Sequence, residues 1–449
     1  MGPSSGASDR VAEIVFVSLP ETGHLLPTFR IARTLLERGH RVRYLVPPDL
    51  WSLVESQGLT TGSWFDDLYP PGYRAADEAT NVVARRRAIT ARHCAMIDAL
   101  LVDGGPAAEL LSRPVHLLLV DVAMPHLALW AARRRVPFVV VSTSLPQTRD
   151  EVVAPQRSLT GPAGTAEERD QVRSEWRSFL LKRRVSALAA GVVGATPPYA
   201  LIQRMARQIG LPADRLDTAA SFLPQVTGVP ELVLCPQAFD FARHTPSTRH
   251  YVESWDPTRA QVSATSLDLP ADAQVLYCSL GSQVYRGDVT PAFFRSVIDA
   301  VRVRPERHLI MAVGDHLDPA SLGALPANIT VTRRAPQLDV LARADVMITH
   351  GGLGSVKECI MNAVPMLVVP LAVDQPGNAA RVRHHGLGLV GDIDTASAQS
   401  IGDQLDLLLG QPGFGATARV MRDRFVDAES RDAGADLVEG WAFNGTPGA

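Results

Sequence analysis

The order of buried strands and amphipathic helices repeats along this chain and limits its fold more than any other feature. Residues 13–19 predict a buried strand, a segment with apolar residues at helical spacing follows until Gly39, and residues 41–46 predict the next strand. The same order returns around residues 116–121 and 137–142. Because strands that alternate with helices form parallel sheets, the first half is predicted to be a Rossmann-like domain.

A second alternation occupies the other half of the chain. It begins with a predicted strand at residues 274–280 and continues with a helix that has Pro291 at its first position. Further strands are predicted at residues 308–313, 328–332 and 345–349. A chain of 449 residues is longer than one hydrophobic core usually spans. The prediction is therefore an α/β protein with two doubly wound domains.

The predicted division of the chain follows the breaks in this pattern. The N-terminal domain is assigned to residues 11–240, and a linker in which prolines and polar residues interrupt the pattern is assigned to 241–270. The second domain is assigned to residues 271–425. The last segment, 426–449, is predicted to be a helix that packs back towards the N-terminal domain.

The composition favours a globular cytoplasmic enzyme. The formal net charge is -3, so nucleic acid is not an expected partner. The four cysteines are widely separated and form neither a CxxC pair nor a metal-binding cluster, which suits thiols in a reducing cytosol. The chain begins with small polar residues and has no apolar run long enough to cross a bilayer, so a cytoplasmic location is predicted.

A glycine-rich turn follows the predicted strand at residues 345–349. It runs from His350 to Ser355 (HGGLGS) and leads into a predicted helix. Glycines let a phosphate approach the backbone, and the free amides at a helix N-terminus favour an anion. The spacing matches neither the Walker loop nor the GxGxxG fingerprint, which disfavours a kinase and a dehydrogenase. Taken alone, the turn is equally compatible with an ordinary start of a helix.

The residues around this turn form a long ordered set. The set comprises Ala335, Pro336, Gln337, His350, Gly351, Gly352, Ser355, Glu358, Val364, Pro365, Pro370, Asp374, Gln375 and Asn378. It resembles the nucleotide-sugar glycosyltransferase superfamily, which includes plant flavonoid glucosyltransferases and bacterial macrolide glycosyltransferases. The resemblance implies the GT-B fold, in which two Rossmann-like doubly wound domains face each other across a cleft. It also implies a UDP- or TDP-sugar as co-substrate, without a metal ion or another cofactor.

The resemblance further implies which residues bind the nucleotide sugar. The donor set consists of Gly281, Ser282, Arg334, Gln337, His350, Gly352, Gly354, Ser355, Glu358, Asp374 and Gln375. Within this set, Gln337 would contact the base and Glu358 the ribose. His350 and Ser355 would contact the diphosphate, which Gly281 and Ser282 would cover. Asp374 and Gln375 would contact the sugar hydroxyls.

Some of these positions leave alternatives open or depart from the family pattern. Glu358 is predicted in the first turn of its helix, where a carboxylate also suits the helix dipole without any ligand. On spacing alone, Asp374 is equally a cap of the next helix. Arg334 replaces an aromatic residue, although a guanidinium can still stack on a base. Gly354 and Ala363 differ from the plant enzymes and favour a bacterial branch.

His24 is the best placed candidate for a general base. It lies between the first predicted strand and helix, at the carboxyl edge of the sheet, where wound folds bind ligands. The flanking residues Gly23 to Pro27 (GHLLP) again resemble the family, whose histidine at this place is the general base. Asp121 ends a predicted strand at the same edge and would orient the imidazole. A structural turn residue is the alternative at each position.

Large apolar residues in the irregular segments of the first half are candidates for the acceptor site. They are Trp64, Phe65, Tyr69, Met96, Trp176 and Phe179, and a local hydrophobic core explains them equally well. The predicted function is inverting transfer of a sugar to a hydroxyl of a small lipophilic acceptor, by resemblance a bacterial natural product. The alternatives are a nucleotide-sugar epimerase and a catalytically silent helper protein with the GT-B fold. Both a monomer and a homodimer are compatible with the sequence.

Overall fold

The computed structural model describes most of the chain. The described residues are 10–62, 65–73, 76, 82–102, 113–192, 196–256, 272–281 and 289–446. Trp64 of the predicted acceptor set and Ser282 of the predicted donor set lie outside them.

The N-terminal half is built on a parallel sheet. Its strands are β1 (Glu13–Val17), β2 (Arg41–Leu45), β3 (Thr60–Gly62), β4 (Leu117–Asp121), β5 (Phe138–Ser142), β6 (Leu216–Asp217), β7 (Gln225–Val226), β8 (Glu231–Val233) and β9 (Arg249–Tyr251). Among the described residues, seven strands form this sheet in the order β3-β2-β1-β4-β5-β8-β9, while β6 and β7 form a separate antiparallel pair. The strand order reverses between β1 and β4. This reversal is the topological switch point, where wound folds bind ligands.

Helices cover this sheet. They are α1 (Thr22–Leu25), α2 (Phe29–Glu37), α3 (Trp51–Glu55), α4 (Val82–Leu101), α5 (Pro125–Arg134), α6 (Ala166–Val192) and α7 (Pro198–Gln208). Residues of α4, α5 and α7 pack on one face of the sheet, and residues of α2 pack on the other. Strands β4 and β5 are buried along their whole length, as expected for parallel strands covered on both faces.

The second half repeats the same architecture. Its strands are β10 (Gln274–Ser279), β11 (Arg307–Ala312), β12 (Ile329–Thr332), β13 (Val346–Thr349), β14 (Met366–Val368) and β15 (Gly388–Val390). Within the described part of the chain they form a parallel sheet in the order β12-β11-β10-β13-β14-β15. This is the strand order of the dinucleotide-binding Rossmann fold, with its switch point between β10 and β13.

The helices of the second half complete this domain and return to the first. They are α8 (Val289–Arg302), α9 (Gln337–Leu341), α10 (Leu353–Met361), α11 (Gln375–His384), α12 (Ala398–Gly410), α13 (Pro412–Glu429) and α14 (Ala433–Asn444). The final helix, α14, packs on α2, and its residues Ala435, Val438 and Trp441 join the core of the first sheet. The chain thus crosses back to the N-terminal domain at its end.

Part of the segment predicted as a linker belongs to the first sheet. Strand β9 lies within residues 241–270 and pairs in parallel with β8, with Arg249 opposite Glu231. The Arg249 guanidinium also donates to the Glu231 carboxylate at 2.6 Å. A strand of three residues gives too short a pattern to be recognised in the sequence, so pairing with a neighbour determines it.

No helix in the described ranges has both the length and the apolar character needed to span a membrane.

Candidate active site

The switch point of the first sheet brings His24 and Asp121 together. His24 lies in α1, which follows β1, and Asp121 is the last residue of β4. Because β1 and β4 are adjacent parallel strands, their carboxyl ends share one edge. The His24 Nδ1 atom lies 2.8 Å from Asp121 Oδ2. The Asp121 side chain is 1% exposed and that of His24 is 27% exposed, so the imidazole faces the cleft and the carboxylate lies behind it.

Backbone amides hold the Asp121 carboxylate in place. Leu19 N–H donates to Oδ2 at 3.2 Å, and Ala123 N–H donates to Oδ1 at 2.8 Å. These bonds satisfy a carboxylate that is otherwise buried among apolar strands. Since an ionised carboxylate only accepts hydrogen bonds, it favours the imidazole tautomer with hydrogen on Nδ1.

Charges from both domains act on His24. Burial of the ring disfavours its charged form, but Asp121, Glu21 and Asp374 favour it more strongly, and the pKa of His24 is raised above 6.5. Asp374 immediately precedes α11 of the second domain. A carboxylate of the second domain therefore contributes to the electrostatic field at the imidazole of the first.

Residues of both domains also line one cavity. Those lining it include Gly23, Leu26 and Pro27 of the first domain and Gly354, Lys357 and Glu358 of the second. The segments that follow β1 and β13 thus meet at one cavity between the two domains.

His350 lies at the switch point of the second sheet, directly after β13. Its ring lies between two glycines, because a Cβ atom on Gly281 would lie 2.8 Å from His350 Cε1 and one on Gly352 would lie 2.6 Å from His350 Nε2. Burial lowers the pKa of His350 to about 4, so the ring is neutral at physiological pH. Its buried Nδ1 has no hydrogen-bond partner among the described residues. A neutral imidazole carries one N–H, which can act as a hydrogen-bond donor at this turn.

The predicted base-binding and ribose-binding residues contact each other. Gln337 Nε2 donates to the Glu358 carboxylate and, at 3.3 Å, to Ser355 Oγ. The Tyr277 hydroxyl donates to Gln337 Oε1 at 3.2 Å. The prediction that Glu358 lies in the first turn of its helix is wrong, because α10 begins at Leu353 and Glu358 is its sixth residue. A favourable interaction with the helix dipole, which is confined to the first turn, therefore does not explain this carboxylate.

Asp374 does not act as a helix cap. It occupies the position before α11 but accepts no hydrogen bond from the helix backbone. Its Oδ2 accepts instead from Asn378 Nδ2 at 3.1 Å, and the same Asn378 nitrogen donates to the Gly351 carbonyl at 3.0 Å. Asn378 therefore links Asp374 to the glycine turn, a connection that the sequence does not reveal.

Gln375 uses one end of its amide to hold the preceding loop. Its Oε1 accepts from the backbone N–H groups of Leu371 and Ala372 at 2.7 and 2.8 Å. Val373 lies between Ala372 and Asp374 in the chain, and its φ of 59° is unusual for a β-branched residue. Such strain persists only where the surroundings impose it, often at functional sites. The amide nitrogen is the end of the Gln375 side chain that does not hold this loop.

The surroundings of Arg334 and Gly354 do not by themselves indicate the donor-binding role that the resemblance implies. The Arg334 side chain is 82% exposed and forms a bidentate ion pair with Asp315, with distances of 2.5 and 3.3 Å. A Cβ atom on Gly354 would meet nothing within 4 Å, so packing does not require glycine there.

The predicted acceptor residues that the structure describes lie in local hydrophobic clusters. Phe65, Tyr69 and Met96 are buried with the helices on one face of the first sheet. Trp176 is buried in a separate cluster beside Phe179, and its indole N–H donates to the Val153 carbonyl at 2.9 Å. Of the two interpretations open from the sequence, the structure supports the local core.

Thr143 also contacts His24, although the sequence pattern does not single it out. It directly follows β5, and its Oγ1 lies 2.8 Å from His24 Nδ1. The signal available in the sequence was its position, since it follows the strand next to β4 in the sheet. A threonine at a strand end is too common to have been selected on that ground alone.

Known proteins resemble this chain in sequence and in structure. Residues 297–437 match the family described as erythromycin biosynthesis protein CIII-like, C-terminal domain. The oleandomycin glycosyltransferase of Streptomyces antibioticus is 28% identical over 95% of this chain and 90% of its own length. The solved glycosyltransferase of kitacinnamycin has a TM-score of 0.73 at 24% identity, covering 96% of this chain and 99% of that one. A spinosyn rhamnosyltransferase complexed with thymidine diphosphate has a TM-score of 0.60 at 19% identity, covering 96% and 100%.

Proposed function

We propose that this chain, a nucleotide-sugar glycosyltransferase with the GT-B fold of the macrolide and natural-product type, transfers a sugar with inversion to a hydroxyl of a small lipophilic natural product. The observation that carries the proposal is the contact of 2.8 Å between His24 and the buried Asp121 at the switch point of the first sheet. The same imidazole lies within electrostatic reach of Asp374 in the donor domain. A base and a donor site that share one cleft are what direct displacement requires.

His24 acts as the general base. A hydroxyl is a poor nucleophile at neutral pH, so the acceptor must lose its proton as it attacks. Asp121 holds the hydrogen on Nδ1, which leaves the lone pair on Nε2 to take the acceptor proton. The acceptor oxygen bonds to the anomeric carbon while the bond from that carbon to the diphosphate oxygen breaks, and its electron pair leaves with the diphosphate. Attack from the opposite face inverts the anomeric centre.

The second domain binds the nucleotide diphosphate at the N-terminus of α10. Backbone amides of the glycine turn and the neutral His350 ring supply hydrogen-bond donors, and the helix dipole favours the negative charge. These groups stabilise the charge that develops on the leaving group. Gln337 binds the base and Glu358 the ribose, and the reaction uses no metal ion and no cofactor besides the nucleotide sugar.

The sugar lies between the domains. Asp374 accepts from its hydroxyls, while Gln375 donates through its amide nitrogen because its oxygen is bound to the loop. The acceptor occupies the first domain beside His24. The similarity to the oleandomycin glycosyltransferase, which extends over nearly the whole length of both chains, supports a hydroxylated natural product as the acceptor class.

Replacement of the base tests this proposal. His24→Ala is expected to lower kcat by on the order of 10²- to 10⁴-fold, the usual contribution of a general base, while nucleotide affinity is unchanged. The measurements are product formation with a panel of UDP- and TDP-sugars and macrolide acceptors, and calorimetric titration with UDP and with TDP in excess chelator. The configuration of the new glycosidic bond, read by NMR, tests inversion.

Each outcome tests a different part of the proposal. An equal loss of turnover and nucleotide affinity in His24→Ala would assign His24 a structural role. Loss of wild-type activity in chelator would contradict metal independence. Nucleotide binding by the wild-type chain without transfer to any acceptor would favour a silent helper protein over an enzyme.

A further inference from the structure

We propose that Thr143 is a positioning residue that, together with Asp121, fixes the imidazole of His24. This inference rests on the proposed role of His24 as the base. Two oxygen atoms lie at the same distance from one nitrogen: Thr143 Oγ1 and Asp121 Oδ2 are each 2.8 Å from His24 Nδ1. The proposed role of Thr143 is to hold the ring.

Three adjacent strands deliver the three side chains to one point. β1, β4 and β5 are consecutive in the sheet and parallel, so their carboxyl ends lie along one edge. Asp121 pairs with Val141 of β5, and Thr143 stands two residues further along the same strand direction. His24 follows β1 on the other side of Asp121. The contact between Thr143 and His24 thus follows from the register of the sheet.

The hydrogen positions follow from the chemistry of the three groups. Nδ1 carries at most one hydrogen, and a bare lone pair on Nδ1 would face the Asp121 carboxylate with repulsion. Nδ1 therefore carries the hydrogen, and Asp121 and Thr143 share it as two acceptors. The hydroxyl hydrogen of Thr143 points away from the ring. The arrangement leaves the lone pair of the neutral ring on Nε2, where the acceptor proton must go.

The second acceptor restricts the orientation of the ring. A single hydrogen bond to Asp121 fixes where Nδ1 lies but lets the ring swivel about the line joining the two atoms. A second contact from a different strand removes that freedom. Because Nε2 is on the far side of the ring, a small rotation at Nδ1 moves it away from the acceptor oxygen, and catalysis is sensitive to such displacements.

Thr143 also influences the charge of the ring. An acceptor stabilises the imidazolium more strongly than the neutral imidazole, since hydrogen bonds to charged groups are stronger. The charged groups that face His24 are Asp121 behind it, Glu21 at the start of α1 and Asp374 across the cleft. They are unchanged when Thr143 is replaced. Removal of the hydroxyl therefore lowers the pKa of His24.

The test replaces the hydroxyl and retains the shape. Thr143→Val is expected to lower kcat about tenfold, equal to about 1.4 kcal/mol of transition-state stabilisation, with the donor KM unchanged. The acidic limb of the profile of kcat/KM against pH should move to lower pH by about half a unit, because the charged ring loses one acceptor. Thr143→Ser, which keeps the oxygen, should restore both quantities.

A matched control is available at the next residue. Ser144 also carries a hydroxyl after β5, and its Oγ accepts from Gln147 Nε2 at 2.9 Å. Ser144→Ala should leave kcat and the pH profile unchanged. Thermal unfolding and calorimetric TDP or UDP affinity are measured for every variant, so that a change in folding is recognised.

The outcomes distinguish this inference from the proposed function. A wild-type kcat and pH profile in Thr143→Val, or a Thr143→Ser variant no better than Thr143→Val, overturns the role of Thr143. If Thr143→Val does not fold, Thr143→Ser and Thr143→Ala carry the comparison, because they differ by one oxygen atom and equal turnover overturns the inference. Full activity of His24→Ala in the same assays contradicts the base itself, whatever Thr143 does.

Discussion

The ionisation of His24 depends on side chains that are far apart in the sequence. Burial alone would lower its pKa, and Asp121, Glu21 and Asp374 together raise it above 6.5. A base with a raised pKa accepts a proton more readily, but it is neutral, and therefore competent, only at a higher pH. If His24 is the base, as we propose, we expect the carboxylates at positions 21, 121 and 374 to set the pH dependence of the reaction.

The acidic limb of kcat/KM should reflect this raised pKa. In the wild-type enzyme we expect activity to fall as pH decreases through a midpoint above 6.5, because protonated His24 cannot accept a proton. Asp121→Asn removes a charge that favours the imidazolium and should move the limb to lower pH, while kcat falls by on the order of 10²-fold or more as the tautomer preference is lost. The measurement is kcat/KM across the neutral pH range. If the acidic limb lies at the same pH in Asp121→Asn as in the wild type, a group other than His24 controls it.

Motif residues differ in how far the sequence determines their environment. The HGG run predicted an anion site, but only the structure shows that the His350 ring lies between Gly281 and Gly352. Gly281 has a φ of 74°, so its backbone as well as the nearby ring favours glycine. Ala363 has a φ of 54°, in the left-handed region that favours glycine.

At the scale of elements, α11 connects the proposed donor site to the first domain. Gly377 lies in its first turn and donates its backbone N–H to the Gln156 carbonyl at 2.8 Å. A Cβ atom on Gly377 would lie 2.8 Å from that oxygen and 3.0 Å from Gln156 Cα. The first domain therefore satisfies a free backbone amide in the first turn of α11. Asp374 immediately precedes this helix, and Gln375 is its first residue.

A methyl group at this contact should disturb both stability and donor binding. Gly377→Ala forces the Gln156 backbone away, which at a close-packed contact costs typically about 1–3 kcal/mol. We expect a lower free energy of unfolding and a higher KM for the nucleotide sugar, measured by chemical denaturation and by kinetics. Gly402→Ala is the control, because Gly402 lies in α12 with nothing within 4 Å of its Cβ position. Equal effects of the two substitutions would contradict the contact.

Elements differ in how well the pattern predicted them. The long buried strands and the helix after the glycine turn follow from apolar periodicity, since each forms one continuous pattern. β9 was assigned to the linker because only its pairing with β8 makes it a strand. The irregular aromatic segments are compatible with two interpretations, and Phe65, Met96 and Trp176 lie buried in local cores.

At the scale of the whole molecule, a buried ion pair joins the domains. Asp240, which follows β8, accepts from Arg381 of α11 at 2.6 and 2.9 Å and from the Tyr251 hydroxyl at 2.6 Å. The Arg381 guanidinium also lies 4.2 Å from the centre of the Phe241 ring. Burial of the Asp240 carboxylate opposes its ionisation, yet the two nearby arginines lower its pKa below 3.8. The pair holds α11 against the first domain.

Removal of this carboxylate should destabilise the assembled molecule. Asp240→Asn leaves Arg381 buried without its counter-charge, and breaking a buried pair in this way costs about 3–5 kcal/mol. The control variant is Asp423→Asn, which breaks the exposed ion pair with Arg422. It should lower the free energy of unfolding by no more than about 1 kcal/mol. Denaturant unfolding of both variants measures the difference. Similar midpoints for the two would show that the buried pair does not hold the domains together.

The sequence by itself determined the two wound sheets, the position of the glycine turn and the candidate pair His24 and Asp121. These follow from local patterns, because strand and helix periodicity and the residues at strand ends are written along the chain. Tertiary structure alone decided the contacts that the register of the sheets and the packing of the domains create. Thr143 reaches His24 only because β1, β4 and β5 are neighbours, and Asp374 acts on His24 only because two domains share one cleft. A linear pattern cannot specify either contact, since each joins residues more than a hundred positions apart.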